Sequence, residues 1–144
     1  MSDPKVIASQ PAPQGLYIPA VRHGDIIFTA GMTSRQDGVL QFEGPWGADA
    51  PPHEYREAIV LACKNALTAA RSQLRAGETI RRILSLTVYI AAEPGFAAHS
   101  KLADLASIYL RDELGEGGIG SRAAVGVASL PGNAAVEIQL IAAL

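Results

Sequence analysis

The chain has 144 residues, of which 49% are hydrophobic and 18% charged, and its formal net charge is −2 at pH 7. These values predict one globular domain, and the slightly acidic balance provides no basic surface for nucleic acid or an anionic membrane. The mean hydropathy of +0.17 lies on the apolar side and favours burial of some apolar surface between subunits. The single cysteine fits a reducing compartment. With no recognisable signal peptide or membrane-spanning run, a cytoplasmic protein is predicted.

Residues 1–15 are predicted to form an extended arm, because they contain three prolines and show little periodicity. Residues 16–144 are predicted to form the single domain. Two strands are expected at its start, over residues 16–22 and 26–30, separated by a short turn.

The next segment, residues 32–52, is rich in glycine and proline and is predicted to be a long loop with a short strand near residues 39–42. Trp46 in this loop is interpreted as a plug over a hydrophobic patch, because an indole buries a large area. A role for Trp46 in recognition is the other interpretation.

Two helices are predicted, over residues 53–76 and from about residue 96 to 114, from apolar residues that recur at 3.6-residue spacing. Cys63 falls on the buried stripe of the first helix and is interpreted as a core residue rather than a nucleophile. His99, near the start of the second helix, is expected at the surface. The three histidines are far apart in sequence, so no metal site is predicted.

The strongest strand is predicted over residues 81–91, where Leu84, Leu86, Val88 and Ile90 form an apolar face that should lie under the helices. Two more strands follow, joined by a tight reversal at residues 130–133. This order of elements predicts an α+β fold with two helices on one face of a mixed, largely antiparallel sheet. The other face, expected to include the row of Arg122, has no helix to cover it, which favours oligomerisation.

Two charged residues, Arg122 and Glu137, interrupt the last two strands. A charge in an apolar strand is costly unless it is paired or meets water or a ligand. Ala124 and Gly126 would leave space beside the Arg122 guanidinium, and a planar guanidinium can bind a carboxylate with two hydrogen bonds. Periodicity alone leaves open the alternative that both charges simply face solvent.

Several short segments occur in an order that is typical of a known family. They are Gly15-Leu16-Tyr17, Ile27-Phe28-Thr29-Ala30-Gly31, the helix containing Asn65, Thr87-Val88-Tyr89-Ile90, Phe96, Ser121-Arg122, Leu130-Pro131 and Val136-Glu137-Ile138. From about Gly15 onward the chain resembles the Rid (YjgF-like) family of reactive-intermediate deaminases. The resemblance implies a chorismate-mutase-like subunit and a homotrimer with a central barrel of sheets, whose ligand pockets lie in the clefts between subunits.

The resemblance also implies an activity, the hydrolysis of 2-imino and enamino acids to 2-keto acids and ammonia, without a cofactor. Arg122 matches the arginine that binds the substrate carboxylate, and Glu137 matches the glutamate that positions the attacking water. Tyr17 matches a tyrosine that lines the pocket, and Gly31 a glycine whose backbone N–H faces the ligand. The implied partners are two further subunits and a small carboxylate-bearing ligand.

Three positions depart from the pattern of those deaminases. Ser100 stands where an asparagine is usual and Ala124 where a cysteine is usual, and both are still predicted to line the substrate site; Ala30 replaces a serine. These departures favour an alternative function, a non-catalytic trimer that binds a small carboxylate metabolite. A third alternative, ribonuclease activity as in some relatives, has weak physical support because the chain is acidic and shows no acid–base histidine pair.

Overall fold

A mixed β-sheet forms the centre of the fold in the computed structural model, which describes residues 11–144. In chain order the elements are β1 (Ala20–His23), β2 (Ile26–Thr29), β3 (Met32–Thr33), β4 (Arg35–Gln36), β5 (Val39–Leu40), α1 (Pro52–Arg71), β6 (Arg82–Ala91), α2 (His99–Leu114), β7 (Ser121–Val127) and β8 (Val136–Ala143). The strand order is β1-β2-β8-β6-β7, β3 also pairs with β8, and β4 and β5 form a separate hairpin. The β6–β7 pairing is parallel and the pairings of β8 are antiparallel. The predicted α+β class is confirmed, whereas the predicted arm lies largely outside the described residues.

Both helices pack on one face of the sheet, where they enclose a fully buried apolar core. The residues of α1 that reach the core are mostly small, and this allows the helix to approach the strands closely. The core side chains that are at most 1% exposed include Ile59, Leu67, Leu110, Val88, Ile90, Ile138 and Leu140. No helix within residues 11–144 is long and apolar enough to cross a membrane.

The predicted boundaries differ from the observed ones mainly where a turn replaces a regular element. The first helix ends at Arg71, five residues before the predicted end. Beyond it, the backbone N–H groups of Gln73 and Leu74 bond carbonyl oxygens three residues earlier, so the chain continues as turns and not as an α-helix. The second helix begins at His99 rather than near residue 96. The first strand begins at Ala20 rather than at residue 16.

The prediction that Leu84 lies under the helices is wrong. The pairing of β6 with β8 shifts between Ile83 and Ser85, which marks a β-bulge. Because a bulge changes the alternation of side chains, Ile83 is fully buried whereas Leu84 is 36% exposed. Leu86 and the alternate residues after it keep the predicted burial.

The face predicted for Arg122 is also wrong. Arg122 is the parallel register partner of Leu86, a core residue that is 3% exposed, so its side chain lies on the helix face and contacts α2. The uncovered face itself is present in the described part of the chain, with Val21, Phe28 and Val125 respectively 48%, 43% and 37% exposed. Alternation within a strand of small residues does not reveal which of its two faces the helices cover.

The reversal predicted at residues 130–133 is present, but it does not connect neighbouring strands. A short 3-10 turn spans Pro131–Asn133, and Gly132 and Asn133 have positive φ values of 65° and 63°. The strands on either side, β7 and β8, are separated in the sheet by β6. The turn therefore crosses over the end of β6 and lies near the candidate site.

Candidate functional site

A bulge in the sheet brings Gly31 beside Glu137. Strand β8 pairs with β2 as far as Phe28 opposite Ile141, and with β3 from Met32 opposite Ile138. Residues 29–31 thus oppose residues 139–140, three against two, and the extra residue bends the chain. The Thr29 hydroxyl oxygen accepts a hydrogen bond from the Leu140 backbone N–H at 3.1 Å and so satisfies a donor at the interruption.

Glu137 lies in a pocket of about 600 Å³, called the Glu137 pocket below. Its lining residues are Gln14, Tyr17, Ala30, Gly31, Thr33, Arg35, Pro131, Gly132 and Glu137. The Tyr17 hydroxyl oxygen accepts a hydrogen bond from the Gln14 backbone N–H at 3.0 Å, so the hydroxyl proton remains available to a ligand. Three of the predicted site residues, Tyr17, Gly31 and Glu137, therefore meet in one pocket.

The Glu137 carboxyl group is partly buried and has no ion-pair partner within the described chain. Desolvation by burial raises its pKa above the ordinary value for glutamate. Gly31 makes this position possible, because a Cβ atom at residue 31 would lie 2.7 Å from Cδ of Glu137. A carboxylate with a raised pKa in a pocket is a stronger base than an exposed one and can accept a proton from water.

Arg122 belongs to a second cluster, the Arg122 cluster, which it forms with three residues of α2. Its Nη1 donates to Oδ1 of Asp104 at 2.7 Å and to the hydroxyl of Ser107 at 3.0 Å. Its Nη2 donates to the carbonyl and hydroxyl oxygens of Ser100, at 3.2 and 3.0 Å. The predicted neighbours Arg122 and Ser100 are thus in direct contact, while Asp104, which the sequence did not single out, occupies one side of the guanidinium.

The sheet register separates the two groups within one chain. Arg122 pairs with Leu86, whereas Glu137 pairs with Tyr89, three residues further along β6. Because side chains alternate along a strand, an odd offset places Arg122 and Glu137 on opposite faces. Ala124 lies on the same face as Arg122 and packs against the core. A single chain therefore holds two partial sites.

Two residues near these groups were not predicted as site residues. His99, which was expected at the surface, is partly buried; its ring packs edge-on against Phe96 at 4.9 Å and its Nε2 lies against Gly126. Arg35 lines the Glu137 pocket. The Asp37-Gly38 pair, which is typical of a two-residue hairpin turn, was the signal that could have placed Arg35 on a strand.

Trp46 and Cys63 have the structural roles that the sequence predicted. Trp46 is 4% exposed and packs edge-on against Tyr55, with ring centroids 4.4 Å apart. Cys63 is fully buried, and desolvation raises the pKa of its thiol to about 12. A thiol that is buried and protonated is a poor nucleophile. Within residues 11–144 no three His, Cys, Asp or Glu side chains are grouped so that they could hold a metal ion.

Comparison with known proteins defines the class to which this α+β fold and its pocket belong. A family profile described as "Endoribonuclease L-PSP" matches residues 7–144. The chain therefore belongs to the endoribonuclease L-PSP family, and the predicted resemblance to YjgF-like proteins is confirmed.

Individual proteins are similar to this chain over most of their length. Protein TCP17 of Trypanosoma cruzi is 28% identical over 134 residues, which cover 92% of this chain and 84% of that protein. The crystal structure of Atu1372 from Agrobacterium tumefaciens, described as having unknown function, is 32% identical with a TM-score of 0.82, covering 89% of this chain and 82% of that one. The YjgF gene product of E. coli shares the fold, with a TM-score of 0.68, 22% identity and coverage of 97% and 98%.

Proposed function

We propose that this protein is a homotrimeric deaminase that hydrolyses 2-imino and enamino acids to 2-keto acids and ammonia in clefts between subunits. The observation that carries the proposal is the partly buried Glu137 carboxyl group, which lies beside Gly31 and Tyr17 and forms no ion pair among residues 11–144. The family resemblance of Arg122 and Glu137 supports the same reaction. The exposed apolar residues of the uncovered sheet face support assembly, because a soluble monomer rarely exposes a large apolar patch.

A cleft between two copies would unite the two partial sites. Strand β7 is at the edge of its sheet, and the Arg122 side chain remains 20% exposed there. A neighbouring subunit could therefore place its Glu137 pocket against this edge. In that arrangement Arg122 would bind the substrate carboxylate, after its bond to the 62% exposed Asp104 is shared or broken. Because the Asp104 carboxylate is largely exposed, water can solvate it when Arg122 turns to the ligand.

In the proposed reaction, Glu137 accepts a proton from a water molecule whose oxygen attacks the imine carbon. The π electrons of the C=N bond move to nitrogen, which takes up a proton from the Tyr17 hydroxyl or from a second water molecule, and a tetrahedral carbinolamine forms. Glu137 then returns its proton to the nitrogen, the C–N bond breaks and ammonia leaves as the C=O bond forms, and the carbinolamine hydroxyl proton passes back to the group that first protonated the nitrogen. Tyr17 can donate its free hydroxyl proton to the substrate or to the water. The protein contributes position and a base of raised pKa to an already electrophilic carbon.

A non-catalytic carboxylate-binding protein is the second candidate. It is favoured by the Arg122 cluster, in which Asp104, Ser100 and Ser107 already bind the guanidinium. A ligand carboxylate could accept hydrogen bonds from the same guanidinium without any reaction. Measured binding of 2-keto acids without turnover of imines would identify this function.

Imine hydrolysis provides the test. An amino-acid oxidase generates 2-iminopropionate in the presence of semicarbazide, and the purified protein competes with the trap if it is a deaminase. We expect Glu137→Gln to lower the hydrolysis rate at least about a hundredfold, because a general base typically contributes that much. Arg122→Ala should lower kcat/KM by a similar factor, because a bidentate carboxylate contact is lost.

Two matched variants serve as controls for this assay. Arg71→Ala removes an exposed arginine whose 3.4 Å contact with Glu113 lies outside both partial sites, and Cys63→Ala removes the buried thiol. Both should retain the wild-type rate. Equal rates for wild type and Glu137→Gln would refute the proposed reaction, and a test with single-stranded RNA under the same conditions addresses the ribonuclease alternative.

A further inference from the structure

Arg35 lies in the Glu137 pocket because two local features fix its backbone. It is the first residue of β4, which turns into β5 through Asp37 and Gly38. The side-chain amide of Asn65 on α1 donates to the carbonyl oxygens of Thr33 and Arg35, at 3.0 and 2.8 Å. These two hydrogen bonds attach the β4–β5 hairpin to α1 at Arg35.

The guanidinium of Arg35 is unusual because it is partly buried and lacks an acidic partner in the described part of the chain. Its Nη1 donates to the Gly38 carbonyl oxygen at 3.1 Å, while its Nε is buried and has no hydrogen-bond partner among residues 11–144. Arg22, Arg71 and Arg122 all have carboxylate partners. The other arginines without ion pairs are exposed to water; they are Arg56, Arg75, Arg81, Arg82 and Arg111.

The guanidinium lies against one wall of the pocket. A Cβ atom at Gly132 would lie 2.8 Å from Nη2 of Arg35, so the guanidinium lies directly over the Pro131–Asn133 turn. Glu137 lines the same pocket but forms no ion pair with Arg35 in the described structure. A partly buried guanidinium that lines a pocket without an acidic partner among residues 11–144 points to an anion that completes the site.

We propose that Arg35 binds a second acidic group of the ligand, so that the protein prefers 2-imino and 2-keto acids that carry a carboxylate on the side chain. This inference rests on the proposed function, in which Arg122 of a neighbouring subunit holds the carboxylate next to the reacting carbon. Arg35, which lines the same pocket as Glu137, then determines specificity. Its planar fork suits a carboxylate, which can accept two hydrogen bonds.

Isothermal titration of the intact protein with two matched probes tests this assignment. The probes are 2-oxoglutarate and 2-oxopentanoate, which share a five-carbon chain and differ in the terminal carboxylate. We expect 2-oxoglutarate to bind about tenfold more tightly or better, since a charge-assisted hydrogen bond contributes on that order. Arg35→Gln should reduce the affinity for 2-oxoglutarate to that for 2-oxopentanoate and leave the latter unchanged. Arg35→Lys should restore part of the preference, and the control Arg71→Gln should keep all of it.

The outcomes separate this inference from the proposed function. Equal affinity of the wild type for the two probes, or no binding of 2-oxoglutarate, overturns the assignment of Arg35. An equal loss of both affinities in a folded Arg35→Gln variant, as judged by circular dichroism, also overturns it, because the residue would then hold the first carboxylate or the pocket itself. A preserved preference without hydrolysis of glutamate-derived imine supports Arg35 while the deaminase proposal fails. Fast hydrolysis of imines without a preference for 2-oxoglutarate supports the deaminase proposal and overturns the assignment of Arg35.

Discussion

Gly31 and Glu137 are so close that the absence of a side chain at residue 31 determines where the carboxyl group lies. A methyl group there would lie within 2.9 Å of Cγ, Cδ and Oε2 of Glu137. We expect Gly31→Ala to displace the glutamate, since the end of a flexible side chain moves more easily than backbone. Imine hydrolysis should fall at least about tenfold, because small misplacements of a catalytic group are costly, and the melting temperature should change little.

Gly47→Ala is a matched control for this substitution. A Cβ atom at Gly47 would lie 2.8 Å from Oε2 of Glu93, an exposed glutamate outside both partial sites. The same kind of steric displacement should therefore leave hydrolysis unchanged. If Gly31→Ala retained the wild-type rate while remaining folded, the position of Glu137 against Gly31 would have no role in catalysis.

At the level of elements, the ion pair between Arg22 and Glu78 ties β1 to the segment that follows α1. Nη1 and Nη2 of Arg22 donate to the two carboxylate oxygens at 2.6 and 2.9 Å, and the Arg75 backbone N–H adds a bond of 2.7 Å. The Arg22 hydrogen bond is the largest cause of a Glu78 pKa lowered to about 2. A lowered carboxyl pKa means that the pair stabilises the fold above the unfolded-state pKa, and that this contribution is lost as the pH falls towards 2.

The free energy of unfolding measured against pH tests this connection. We expect Glu78→Gln to be less stable than wild type at pH 7, and the difference to shrink between the ordinary glutamate pKa of 4.5 and about 2. Glu113→Gln, which removes the exposed 3.4 Å contact with Arg71, should change the free energy of unfolding little, both at pH 7 and at the acidic end of this range. A difference between wild type and Glu78→Gln that stays constant over this range would show that the charge of Glu78 is not what stabilises the fold.

The sequence predicts the long elements well and the short ones poorly. Both helices and β6 extend over many residues, so their periodicity is repeated often enough to be recognised. Strands β3 and β4 have two residues each, too few for any alternation, and β4 contains Arg35. The bulge at Leu84 was also invisible, since an apolar residue fits either face of an alternating pattern.

At the scale of the whole molecule, several residues of the candidate site could be named from the sequence, but their arrangement could not. The resemblance to the YjgF-like family identified Tyr17, Gly31 and Glu137, which share a pocket. It also identified Arg122, but the face on which this residue lies depends on the parallel pairing of β7 with β6, a long-range contact that no local pattern encodes. The separation of Arg122 from Glu137 is therefore a structural finding, and it supports a site shared between subunits.

Mixed oligomers of two variants test the claim of a shared site most directly. Arg122→Ala and Glu137→Gln chains are co-expressed with different tags, mixed oligomers are purified through both tags, and imine hydrolysis is compared with that of each variant alone. If each cleft takes Arg122 from one chain and Glu137 from its neighbour, random assembly in equal amounts restores both residues in about one quarter of clefts, or somewhat more after selection for mixed oligomers. We expect hydrolysis at roughly that fraction of the wild-type rate. Mixed oligomers as inactive as the separate variants, while the wild type is active, would contradict a shared site and place both residues of each active site in one chain.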